Sequence, residues 1–73
     1  MNEESNNPYS IMFTDYPDIV NIKQMRNMLG GIGVTLAYKL LKEGKIKYIK
    51  IGREYKIPKT FIINYLLQEK SNL

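Results

Sequence analysis

Seventy-three residues allow one small domain, with no room for a second domain or a deep substrate cleft. With no cysteine and no histidine, a disulfide framework, soft metal ligands and the usual general base are all missing, and the seven acids are too scattered to form an acid–base pair, so neither catalysis nor a cofactor is expected. The net charge of +4 conceals an asymmetry: residues 1–20 carry Glu3, Glu4, Asp15 and Asp18 and no base, whereas residues 21–73 hold all eleven Lys/Arg against Glu43, Glu54 and Glu69, a net of +8 that attracts polyanions.

Residues 1–17 read as a tail, partly disordered or packed on the domain that spans 18–70. Asn, Ser, Glu and Pro8 dominate its start and Pro17 breaks any regular element, while Tyr9, Ile11, Met12, Phe13 and Tyr16 make its second half apolar. A first helix is predicted over Ile22–Leu29. Asn21 is a good N-cap, Gln24 completes a capping box, and Val20 and Met25 stand at hydrophobic-staple positions. Ile22, Met25 and Leu29 share one face, and Gly30-Gly31 ends the helix.

A second helix is predicted over Val34–Glu43, with Val34, Ala37, Tyr38, Leu40 and Leu41 on one apolar arc and Thr35, Lys39, Lys42 and Glu43 opposite, Leu36 at the edge. Gly44 stops it. The next segment alternates with period two, so Ile49, Ile51, Tyr55 and Ile57 are expected to face the core and Lys50 and Lys56 to point away, across a turn made of Gly52, Arg53 and Glu54. Pro58 opens a third helix running to about Glu69, with Phe61, Ile62, Tyr65 and Leu66 as its core stripe. Ile63 and Leu67 lie off that stripe. Either the tail covers them, or they meet another copy or another protein.

Two short helices around a glycine turn can place the second in a DNA major groove, and a basic two-stranded hairpin behind it has the shape of a wing. On this reading Gly33, Thr35, Leu36, Tyr38, Lys39 and Lys42 face DNA from the second helix, and Lys50, Arg53, Tyr55 and Lys56 from the hairpin. Thr35 has a hydroxyl for a base edge, Leu36 an apolar surface for a thymine methyl, and the cations reach phosphates or the minor groove. The competing readings are a helical hairpin without a nucleic-acid role, lysines that guard an edge strand, and aromatics that only pack. The GGIG run at Gly30–Gly33 reads as a turn and not as a phosphate loop, because no strand precedes it and no Lys-Ser/Thr follows at the required spacing.

The runs AYKLLKEGKI (Ala37–Ile46) and IKIGREYKIP (Ile49–Pro58), with NIKQM (Asn21–Met25) and Leu29-Gly30, resemble the excisionase-like helix-turn-helix family of small MerR-type winged-helix DNA-binding domains, over about residues 18–67. The resemblance implies an α+β winged helix-turn-helix: a helix–turn–helix, a two-stranded hairpin wing and a C-terminal helix. It places DNA contact on Thr35, Tyr38 and Lys39 and on Lys50, Arg53 and Lys56. It further implies a bacterial mobile element, double-stranded DNA as partner, and further copies on adjacent sites or an integrase as additional partners. The Gly30–Val34 turn departs from the family's pattern: it adds a residue and lacks the usual Ser-Arg-like pair, which shifts recognition toward phosphates, wing and DNA shape. A small transcriptional regulator with the same DNA surface, and a protein-interaction module binding an acidic partner, are the alternatives. No apolar run has the length of a membrane span and MNEESNN is not a signal-peptide start, so a cytoplasmic, nucleoid-associated protein is expected, with no membrane and no small-molecule substrate.

Overall fold

The computed structural model describes residues 11–71. They form a small α+β domain: β1 (Ile19–Val20), α1 (Ile22–Met28), α2 (Val34–Lys42), β2 (Ile49–Ile51), β3 (Glu54–Pro58) and α3 (Lys59–Ser71). Residues 1–10, the first part of the expected tail, lie outside the described residues. The rest of that segment is tied to the domain. The Phe13 and Tyr16 rings meet edge-on at 5.8 Å and pack against the core. The Lys59 ammonium donates to the backbone carbonyls of Phe13 (3.0 Å) and Tyr16 (2.9 Å). Among the described helices none is long and apolar enough to cross a membrane.

Local chemistry sets the helix ends. The Asn21 side chain accepts from the Gln24 N–H (2.8 Å) and the Gln24 side chain accepts from the Asn21 N–H (2.9 Å), which is the capping box complete in both directions. At the other end of α1 the Gly30 N–H donates to Asn27 and the Gly31 N–H to Arg26, a Schellman closure that needs the positive φ of Gly30 (88°) and Gly31 (84°). The Arg26 guanidinium then crosses the turn and donates from Nε to the Ile32 carbonyl at 2.8 Å. This tie fixes the longer connection that leads into α2.

The sheet differs from expectation in strand number and in register. It has three antiparallel strands in the order β1–β3–β2, so the hairpin is not an isolated two-stranded ribbon: Ile19 and Val20 pair with Pro58 and Ile57. Two residues between Asp18 and a helix cap are too few to show a strand period, which is why β1 is invisible in the sequence. The register differs because the hairpin loop has two residues, Gly52-Arg53, where three were expected. Ile51 pairs with Glu54, Lys50 with Tyr55 and Ile49 with Lys56. The φ of Gly52 is positive (61°) and that of Arg53 is not, the pattern of a type II′ turn. One residue fewer in the loop reverses every side chain of β2. Ile49 and Ile51 therefore point outward and are exposed, while Lys50 shares the inner face with Tyr55 and Ile57.

The core lies where the helices meet that inner face. Val20, Met25, Met28, Ala37, Leu40, Leu41, Ile57 and Ile62 form one buried cluster, joined by Ile46 from the connection after α2, a position that no periodicity marks. Phe61, expected in the core, is partly exposed and carries the Lys47 ammonium over its ring at 6.0 Å. Ile63 is the converse. With Leu67 it is expected either to lie under the tail or to meet a partner, and it is 0% exposed within the single chain, with Leu67 half-buried. The face of α3 that seemed unpartnered is thus covered by the domain itself, and Ile63 offers no surface to another protein.

Candidate nucleic-acid interface

The exposed side of α2 follows from its buried side. Ala37, Leu40 and Leu41 fix the inward direction, so Thr35, Lys39 and Lys42 come out exposed together on the opposite face. Gly33 is the N-cap of α2, extended (φ −71°, ψ 163°) and exposed, and makes no side-chain cap bond. The first N–H groups of α2 consequently have no side-chain acceptor from their own cap.

The flanks of α2 diverge. Tyr38 turns toward the hairpin, its ring 5.1 Å from that of Tyr55 in an edge-on contact, and Tyr48 meets Tyr55 at 5.2 Å on the other side. The Lys50 ammonium lies 5.0 Å from the Tyr55 ring centroid. Three aromatic rings and one cation thereby couple the hairpin to the helix, so Tyr55 and Tyr38, both half-buried, are positioning groups as much as contact groups. Leu36 goes to the opposite flank. It remains 46% exposed but lines a small apolar depression with Leu29, Ile32, Leu40, Tyr65 and Leu66, between α2 and α3. It stands at the margin of the Thr35–Lys39–Lys42 face.

Between α2 and the hairpin lies a polar cleft of about 370 Å³. It exists because β1 pairs only with the far end of β3, at Ile57 and Pro58. The tip half of β3 therefore keeps a free edge, and this edge faces the start of α1. The cleft walls are Asn21–Lys23 from α1, Tyr38 from α2, and Arg53–Lys56 from the hairpin. Three basic residues, Lys23, Arg53 and Lys56, line it against one acid, the Lys56 side chain lying on the outer face of the hairpin beside Ile49. That acid, Glu54, holds the Lys56 ammonium at 2.9 Å in a solvent-facing pair. Lys23 was not singled out from the sequence. Its exposed place in the first turn of α1 looks like any solvated lysine until β3 is set opposite it.

The site residues expected from sequence thus divide into four groups. Thr35, Lys39 and Lys42 share one exposed face, with the exposed cap Gly33 at the helix end; Tyr38, Arg53, Tyr55 and Lys56 line the adjoining cleft; Lys50 sits on the Tyr55 ring; and Leu36 lies at the edge toward α3. Lys45 and Lys47 belong elsewhere, lining a depression with Phe61 against the outer side of α3. The arrangement offers cations, hydroxyls and free backbone edges on adjoining surfaces, which is chemistry for holding phosphate oxygens and base edges. Comparison of the chain with family models, with curated proteins and with solved structures finds no match.

Proposed function

We propose that the chain is a winged helix-turn-helix domain that binds double-stranded DNA, with α2 as the recognition helix and the β2–β3 hairpin as the wing. The observation that carries this reading is the junction of two basic surfaces. The Thr35–Lys39–Lys42 face of α2 adjoins a cleft lined by Lys23, Arg53 and Lys56, and the Tyr38–Tyr55 contact couples the two. A helix in the major groove with one strand's phosphates running along such a cleft satisfies both surfaces at once. The role we assign is excisionase-like: an architectural or recombination-accessory protein of a bacterial mobile element. A small transcriptional regulator would use the same surface.

The test is fluorescence anisotropy with duplex DNA from the sequence flanking the protein's own gene, titrated across salt against a scrambled duplex. Specific binding predicts tighter binding to the native duplex together with a steep salt dependence, each phosphate contact adding roughly 0.9 to the slope of log K against log salt. Absence of binding at low salt would remove the DNA reading and return the basic surface to an acidic protein partner.

A further inference from the structure

The outer face of the hairpin carries two isoleucines that the fold does not use. Ile51 is 61% exposed and Ile49 56%, the most exposed of the large apolar residues among those described. They lie on the same face of β2, and Ile51 immediately precedes the Gly52-Arg53 tip. An apolar strip on an edge strand is an aggregation hazard unless something covers it.

We propose that Ile51, flanked by Ile49, enters the DNA minor groove beside Arg53 as an apolar wedge and opens or bends the duplex there. The inference rests on the DNA reading above and deepens it by assigning the wing's readout to deformation of the groove. Three features select DNA over a second copy of the chain. The strip runs up to the tip cation Arg53, and the two charges across from it on the same face, Glu54 and Lys56, neutralise each other at 2.9 Å, so the net charge beside Ile51 is that of Arg53. The hairpin and its approach carry Lys47, Lys50, Arg53 and Lys56 against Glu54 alone, so two such hairpins repel each other. β2 is also only three residues long, a poor template for pairing with another strand. The type II′ turn makes the tip narrow, with no side chain at Gly52 to hold the groove walls away. Apolar side chains of this kind unstack base steps in the minor groove and kink DNA, and flexible pyrimidine–purine steps yield most easily. Specificity would then arise at positions that no polar group contacts.

The experiment compares wild type with Ile51→Thr and Ile49→Thr, which keep strand propensity while losing apolar surface. Ile51→Val serves as a second variant whose fold is not in doubt, and Arg53→Ala as the polar control. Affinity is read by anisotropy across salt and bending by energy transfer between duplex ends. Ile51→Thr is expected to bind about tenfold more weakly with an unchanged salt slope, and to reduce the bend. Ile49→Thr and Ile51→Val should show smaller losses of the same kind. Arg53→Ala should instead lower the slope by roughly 0.9. If Ile51→Thr binds and bends like wild type while Arg53→Ala is impaired, the wedge is overturned and the DNA reading stands. If wild type itself binds no duplex, both fall together. If Ile51→Thr changes the sedimentation of the free protein, the strip is a self-association surface and the wedge is likewise overturned.

Discussion

Arg53, Lys39 and Lys23 come from three different elements, and their side chains have no ion-pair partner among the contacts seen around the candidate site. Each is exposed, so replacement by alanine should leave thermal stability nearly unchanged and act on binding alone. Their expected signatures differ. Lys39 stands centrally on the α2 face; if that face reads base edges as proposed, Lys39→Ala should cost about 1–3 kcal/mol on a native duplex and less on a scrambled one. Arg53→Ala and Lys23→Ala should weaken both duplexes alike and reduce the salt slope by about one each. A melting temperature that fell with any of the three would show a core role where a surface one is argued. Of these residues Lys39 and Arg53 were legible from the sequence, because helical periodicity and a turn tip suffice to expose them. Lys23 was not, because its relevance depends on which strand lies across from it. Ile51 was misread for a related reason: its direction hangs on the count of residues in the turn that follows it.

Elements were legible where their signals are local. The capping box of α1 and the glycine closures after α1 and α2 involve residues within one helical turn of each other, and all form as their chemistry requires. The hairpin was read correctly in position and wrongly in register, because alternation alone fits either face of β2 and only the two-residue loop decides between them. At α2 one local signal is missing, a side-chain cap, and this gives a test that separates folding from binding. Gly33 has a φ any residue accepts, and no atom lies within 4 Å of where a Cβ would be. Gly33→Asp should therefore cap α2, restrict the unfolded chain and stabilise the domain by about 0.5–1 kcal/mol. The same carboxylate would sit at the N-terminus of α2, so on the proposed DNA-binding role affinity for duplex should fall while the melting temperature rises. Chemical denaturation and anisotropy on the same preparation would check it. Stabilisation without loss of affinity would move the N-terminus of α2 out of the interface.

For the whole molecule, size decides how folding and binding depend on each other. A domain this small has a net stability of roughly 3–5 kcal/mol, and a single cluster supplies its core. Ile57 belongs to that cluster: it lies on the central strand, pairs with Val20 on β1, and is 0% exposed. Ile57→Ala should cost about 2–5 kcal/mol, enough to populate the unfolded chain heavily at 25 °C, whereas Ile57→Val should cost about 0.5–1.5 kcal/mol and remain folded. Neither change removes a side chain of the candidate interface. Ligand linkage then supplies the decisive comparison. Native duplex at about a hundred times its dissociation constant adds about 2.7 kcal/mol to the folded state, which for a domain of this length raises the melting temperature by about 10–20 °C. Ile57→Val should show that full rise from a lower starting point, and Ile57→Ala should recover a cooperative transition only when duplex is present. Circular dichroism melts with and without DNA would measure both. Recovery of Ile57→Ala by scrambled duplex to the same extent would mean that charge alone holds the folded state. Recovery by native duplex alone would tie the recognition surface to the integrity of the core that positions it.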